Sequence, residues 1–421
     1  MATQEIVWKK SKSDRFETFA VELQEYTRTG KLPDSCDRDM RYCLELQRER
    51  QKEKDIIMKY EFVPRGHFAE KSLNCHGVED ACYKAKIECR TCQFERKIYR
   101  NKKAAHSWKE NMNFYQMITD TKNNQLVEEE DYVCPNCGGI SKVKDLINGC
   151  AYCGTHFKMD ELFPKVTNFY MVMDPSGTGN EIKGEIIKSI FWTMPICMIL
   201  FTLVFHIRDG HHIPESVVMG IFAGLFASPI FGYFLWAILK IGSLFKEAGR
   251  SVGILANTAG SDKKFETQMK KYSPEFSYMY FVGKVISMLR MIMYAKDARE
   301  LPIYVGEDLG ELFSDIIDSH SVGPLALKKF QVEGDYCYIT VDAYMDVVYA
   351  TNGVSKKREK FQLELRRNIT TPIQVNFSIT KIHCKSCGAS FDAAKQCTCP
   401  NCNTRYEVAD EDWVVVSVSK K

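Results

Sequence analysis

Two stretches nearly free of charge, Ile186–Ile207 and Val217–Phe245, constrain this chain more than any other feature. The first reads IIKSIFWTMPICMILFTLVFHI, with Lys188 its only charge, and about twenty apolar residues at helical rise span a hydrocarbon core. The second carries no charge before Lys240. The connection Arg208–Ser216 is too short to hold a domain, so the pair is expected to form a transmembrane hairpin with lipid as its first partner. Lys183 and Lys188 precede the hairpin and Lys240, Lys246, Arg250, Lys263 and Lys264 follow it, whereas the loop sets Arg208 against Asp209 and Glu215. The positive-inside bias then puts both termini in the cytoplasm. Gly220, Gly224, Ser228 and Gly232 recur every four residues, a smooth ridge expected to pack on the first span rather than drive oligomerisation. Oligomeric state is not legible. Pro195 and Pro229 sit inside the spans, where membrane helices tolerate them. His206, His211 and His212 are read as solvated loop residues.

Hydrophobicity of 45% with 26% charge looks globular only on average, because residues 1–130 are rich in Lys, Arg, Glu and Asp. A formal charge of +3 argues against a nucleic-acid partner, since counterion release needs a concentrated basic surface. The 17 cysteines fall largely in Cys-x-x-Cys pairs within a lysine-rich chain, which reads as metal binding in a reducing compartment. The first ten residues, MATQEIVWKK, lack the apolar core of a cleavable signal, so the membrane address is expected to lie in the hairpin.

Cys134-Pro-Asn-Cys137, twelve intervening residues, then Cys150-Ala-Tyr-Cys153 is a pair of knuckles at zinc-ribbon spacing. Gly138 and Gly154 allow the tight backbone after each second sulfur, and four thiolates close a structural tetrahedral site. The same grammar returns in Cys384-Lys-Ser-Cys387 and Cys399-Pro-Asn-Cys402, with Cys397 a spare. Cys89-Arg-Thr-Cys92 resembles a third knuckle, and with Cys75 and Cys82 it stands as a third zinc candidate against the alternative of small buried residues. Cys36, Cys43, Cys197 and Cys337 are read as structural. Stabilisation or protein contact is the expected role of the ribbons, because basic and aromatic residues are not concentrated around them.

Phe16, Phe19, Ala20, Leu23 and Tyr26 follow helical spacing, and Asp37–Tyr60 reads as a charged helix with Met40, Cys43, Leu44 and Ile57 as its apolar side. Helices are also expected over Ser273–Tyr294 and Glu307–Ser319. Alternation then predicts strands at Leu325–Glu333, Tyr336–Tyr349, around Phe361, Leu363 and Leu365, and around Val375, Phe377 and Ile379, with Trp413–Val418 a final strand. In Tyr336–Tyr349 the residues Ile339, Val341, Ala343, Met345 and Val347 are expected to share a buried face, and Tyr336, Tyr338, Thr340, Asp342, Tyr344 and Asp346 the opposite one, read as a solvated sheet face with a binding surface as the alternative. The expected fold class is multidomain. A charged, largely helical region 1–130 carries the Cys-rich knuckle at 75–92, followed by a zinc ribbon at 131–172 and a transmembrane hairpin at 186–245. An α+β domain with a four-stranded antiparallel sheet at 265–383 and a second ribbon with a terminal strand at 384–419 complete it.

From Tyr272 to Lys381, on the Ser273–Ser277 opening (SPEFS), Phe281, Val285 and the helix-then-strands order, the chain resembles the C-terminal domain of the mitochondrial inner-membrane import-motor tether and its bacterial relatives. That resemblance implies a cone-shaped, nuclear-transport-factor-like domain, protein-binding or lipid-facing, attached to a membrane surface; the leading expectation is a non-enzymatic scaffold that binds polypeptide partners at a bacterial cytoplasmic membrane. No functional residue is carried over. Two other functions compete with it. An enzyme would draw on Asp315, Asp318, His320, Asp342 and Asp346 inside the cone, although Ser176-Gly-Thr-Gly179 lacks a phosphate loop's lysine and spacing. A nucleic-acid-binding ribbon would need a basic stripe across it.

Overall fold

A computed structural model describes the chain except residues 1–7, 11–13, 66–70, 80–82, 138, 175–178, 209–211, 259–260, 275, 372–380, 385, 388–389, 393–397, 406–407 and 411. It divides into two compact units, one of residues 174–256 and one built jointly from 1–173 and 257–421.

The smaller unit is a pair of helices, Gly179–Arg208 and Ile213–Thr258. Within them Ile182–Ile207 and Ile213–Gly242 are long and apolar enough to cross a membrane. Only 11% and 22% of an 18-residue apolar stretch within each is buried, unlike the core helices of a water-soluble protein, and Phe191, Trp192, Phe222 and Phe226 point outward. The small-residue ridge packs as its spacing predicts. A Cβ added to Gly220, Gly224 or Gly232 would meet the backbone of Thr202, Met198 or Ile190 at 2.7 Å or less. Thr193 Oγ1 donates to the Ser228 carbonyl at 3.3 Å, and Glu185 accepts from Trp236 Nε1 at 3.0 Å beside Lys240.

The larger unit contains the same arrangement twice. In the first half, Asp14 caps the helix Arg15–Thr29 by accepting from the Glu17 amide, and Gly30 closes it in a left-handed conformation. Phe16, Phe19, Ala20, Leu23 and Tyr26 form its buried stripe, and Arg38–Glu53 is a second helix capped by Asp37. The strands Tyr83–Arg100 and Lys103–Thr121 then form a long hairpin, turned at Asn101 and Lys102 with positive φ. Ile56–Pro64 pairs beside Tyr83–Arg100 near the tip, Lys71–Glu79 pairs beside it near its start, and Lys165–Met173 lies along the outer side of Lys103–Thr121. The first four-cysteine segment is inserted between the fourth and fifth of these strands.

In the second half, Ser261–Met269 and Tyr278–Tyr294 are the helices, and Tyr336–Ala350 with Val354–Asn368 is the long hairpin. Ile316–Ser321 pairs near its tip, Ala326–Glu333 near its start, and Val414–Lys420 along the outer side of Val354–Asn368. The second four-cysteine segment again separates strands four and five. Each half therefore runs helix, helix, four antiparallel strands, cysteine segment, fifth strand, with an identical strand order.

Several sequence expectations change. Residues 1–130 are not largely helical: the helix expected over Asp37–Tyr60 ends at Glu53, and Ile57 sits exposed on a strand. That region is instead most of a sheet, which shares one compact unit with the C-terminal residues rather than forming a separate domain. The helix expected over Glu307–Ser319 is a turn followed by the strand Ile316–Ser321, whose six residues are all buried. Gly310 with φ near +52 interrupts the helical path, and the buried β-branched pair Ile316–Ile317 goes to the sheet. The C-terminal sheet has five strands among the described residues, and the strand expected around Val375–Ile379 lies outside them. Asp342 and Asp346, placed on a solvated face, are 1% and 5% exposed.

The halves share their cores. Phe16, Phe19, Leu23, Phe62, Phe94, Phe114 and Phe169 of the first half take in Ile317, Val348 and Ala350 of the second. Conversely, Cys43 joins the core of Tyr278–Tyr294 and the face Ile339, Val341, Ala343, Met345 and Val347. Helix Arg38–Glu53 lies in the seam: Arg50 donates to the carbonyls of Phe313 and Ala295, and Gln47 and Gln51 to that of Ile317.

Candidate metal centres and a buried charge cluster

Each cysteine segment begins on a two-stranded hairpin, Asp131–Val133 with Ile140–Lys142 and Lys381–His383 with Ser390–Asp392, so that Cys134 and Cys384 follow directly on a strand. Amide N–H groups then close the knuckles: Cys134 bonds Gly139 O, Cys150 bonds Thr155 O, and Cys399 bonds Thr404 O. Gly154 and Asn403 follow the last cysteine of each set with φ of +70 and +59, the left-handed turn that lets two thiolates face one point.

The thiols converge. Cys134 and Cys153 Sγ are 3.8 Å apart, Cys137 and Cys150 3.7 Å, Cys384 and Cys402 3.4 Å, and Cys387 and Cys399 3.7 Å, with all four sulfurs of each set within 4.8 Å of one another. A tetrahedron with metal–sulfur bonds of about 2.3 Å has edges of about 3.8 Å, so the spacing of each set suits one ion. In each set two cysteines are buried and two exposed, and the buried ones pack into small local cores. Thr155 Oγ1 lies 3.3 Å from Cys153 Sγ and Thr404 Oγ1 3.1 Å from Cys402 Sγ. These hydroxyls favour the thiolate, and Cys153 is pushed down to about 6. Four thiolates around one ion would leave no open coordination position, the arrangement of a structural rather than a Lewis-acid site.

The third candidate set does not form a knuckle. Cys89 and Cys92 lie within the continuous strand Tyr83–Arg100, opposite Tyr115 and Met112, and residues three apart on a strand point to opposite faces. Both are buried, and burial pushes the Cys92 thiol far up. Cys75 falls in the strand Lys71–Glu79, and Cys82 and Cys397 lie outside the described residues. Cys36, Cys43, Cys197 and Cys337 are buried singly.

Of the five acid–base candidates, only Asp318 and His320 meet. Asp315 pairs with Lys54, Asp342 with Lys328, Lys360 and Gln362, and Asp346 with Arg358. Asp318, fully buried, is the hub of the seam. Its Oδ1 accepts from Tyr60 Oη and Gln47 Nε2, both at 2.8 Å, and its Oδ2 from Arg96 Nη2 at 2.9 Å and His320 Nε2 at 3.1 Å. Burial opposes its charge, yet His320 and Arg96 together hold the carboxyl well below the usual range. His320 is held below its ordinary value, by burial first and then by the positive charges of Arg96 and Arg290 against the pull of Asp318. Three of the four partners of Asp318 were missed from sequence, because Tyr60, Gln47 and Arg96 come from the opposite half of the chain.

Fold and site together define a class: a chain with two candidate membrane-spanning helices and a duplicated α+β unit in which each half carries a four-cysteine group suited to a metal ion. Comparison with family models, curated proteins and solved structures finds no match.

Proposed function

We propose that the chain is a membrane-anchored, non-enzymatic scaffold that binds polypeptide partners at the cytoplasmic face of a bacterial membrane through its import-motor-tether-like C-terminal domain, the N-terminal half that shares its core, and the zinc ribbons. The observation that carries this reading is the duplication: two like halves, each with a ribbon inserted at the same place, share one core while the membrane hairpin leaves and re-enters between them. Because residues 1–173 and 257–421 share that core, an even number of spans must separate them, and two spans meet the requirement. The charge bias across the hairpin supports a cytoplasmic, reducing side for that core, where thiolates remain available and zinc is the ion that four cysteines at this spacing favour.

The ribbons offer partners an edge stabilised by metal rather than by a large core, with Tyr152 58% exposed between Cys150 and Cys153. A photo-cross-linker placed at Tyr152 in intact membranes tests the reading. Discrete polypeptide adducts that disappear with Cys137→Ser are expected. Absence of metal-dependent adducts, together with turnover of a small molecule by the purified chain, would favour the enzyme alternative.

A further inference from the structure

The seam around Asp318 gathers two guanidiniums, one carboxylate and a ring of aromatic side chains, and we propose that it binds a small oxyanion, a carboxylate on a flat or apolar body in preference to phosphate. This inference is independent of the scaffold reading.

The first support is unmatched hydrogen-bonding capacity. Arg96 is 2% exposed and bonds Asp318 through Nη2, while its Nε and Nη1 are buried without a partner. Arg290 is 3% exposed, and its Nε is likewise buried and unpartnered. His320 donates Nε2–H to Asp318, so its buried Nδ1 is a lone-pair acceptor and adds no donor for the anion. Buried polar groups in native proteins nearly always find partners, so several open atoms in one seam call for something to occupy them.

The second support is charge. Asp318 is the carboxylate that acts on both guanidiniums. Asp346 and Glu110 also act on Arg96, but each already holds its own cation, Arg358 at 2.8 Å and Lys356 at 2.7 Å. Asp318 is thus shared by two guanidiniums that are 2% and 3% exposed, and a buried charge without a full counter-ion is strongly unfavourable. A bound anion offsets it and takes charge-assisted hydrogen bonds from guanidinium donors.

The third support is convergence and shape. Arg96 lies over the rings of Phe94 at 5.1 Å and Tyr60 at 5.9 Å, and Arg290 over that of Phe169 at 4.7 Å. The His320 ring lies among the same three, 6.4 Å from Phe94, 6.2 Å from Tyr60 and 5.8 Å from Phe169, and it feels the charge of both guanidiniums. The surroundings are therefore aromatic walls with cationic donors, which suits a carboxylate with an apolar body better than a fully hydrated phosphate.

The test uses the full chain in detergent micelles, with thermal unfolding followed against benzoate, phosphate and, as an ionic-strength control, chloride. Benzoate is expected to raise the unfolding temperature saturably beyond chloride. Arg290→Met is expected to weaken the apparent Kd by roughly tenfold or more, and Arg290→Lys to recover part of it. A saturable response to phosphate alone would overturn the preference for a carboxylate. No saturable response to either, or an unchanged Kd in Arg290→Met, would overturn the site. Should Arg290→Met fail to fold, an experimental structure of the wild-type chain with benzoate decides: density for benzoate between Arg96 and Arg290 supports the site, and ordered water there refutes it.

Discussion

Replacing Asp318 by asparagine keeps the shape of the seam and removes its only central negative charge. Four donors now aim at this carboxylate, at 2.8, 2.8, 2.9 and 3.1 Å. In Asp318→Asn one side of the side chain becomes an NH2, so Arg96 and His320, which both donate to Oδ2, would face a donor. Arg96 and Arg290 would also remain buried without a carboxylate. Breaking a buried ion pair in this way costs about 3–5 kcal/mol, a large part of the roughly 5–15 kcal/mol that holds a typical domain together. Urea unfolding of the full chain in mild detergent measures the loss, with fluorescence from Trp108 reporting locally because its ring lies 6.0 Å from Arg96. A loss below about 1 kcal/mol would refute the view that this network ties the halves together. The pH dependence supplies a second check. The folded carboxyl titrates below its unfolded value, so its stabilisation is fully present above the unfolded value of about 3.9 and is lost only as pH falls through the lower folded one. Wild type and Asp318→Asn should differ by the full amount at neutral pH and approach each other only in strong acid.

Other expectations follow from the same geometry. His320 is held below its unfolded value of about 6.5, so the unfolded chain takes up a proton first; stability should fall as pH drops below that value, and His320→Gln should flatten the decline in urea midpoint. Elemental analysis of purified protein should find two metal ions per chain, one after either Cys137→Ser or Cys387→Ser, and still two after Cys89→Ala with Cys92→Ala. Gly224→Leu should force the spans apart and cost on the order of 1–3 kcal/mol, read as lost cross-linking across the hairpin, whereas Gly242→Leu, with nothing within 4 Å, should not.

The sequence made the hairpin legible because uncharged runs of that length have few other uses, and both four-cysteine groups because knuckle spacing is local. The helices Arg15–Thr29, Arg38–Glu53 and Tyr278–Tyr294 announced themselves by apolar spacing. The N-terminal sheet did not. In Tyr83–Arg100 the buried face switches: Ala85, Ile87 and Cys89 are buried at the start, and Cys92, Phe94, Arg96 and Ile98 after the change of parity. That switch breaks the alternation that marks a strand, and it leaves two cysteines three apart that mimic a knuckle. The buried Arg96 hides the pattern further, since its partner Asp318 lies more than two hundred residues along the chain. The duplication was legible only as a shared grammar: Lys165–Met173 and Val414–Lys420 both begin twelve residues after the last cysteine of a ribbon, and Cys153-Gly-Thr155 matches Cys402-Asn-Thr404. Without strand pairings those coincidences do not declare a repeat.

The claim that a hairpin holds both halves of one core at the cytoplasmic face is tested most directly by locating the two termini. Protease-sensitive tags at the N- and C-terminus of the full chain, compared in intact spheroplasts and in inverted membrane vesicles, should both be protected in the former and both be cleaved in the latter. A tag cleaved in intact spheroplasts, or termini found on opposite sides, would contradict it.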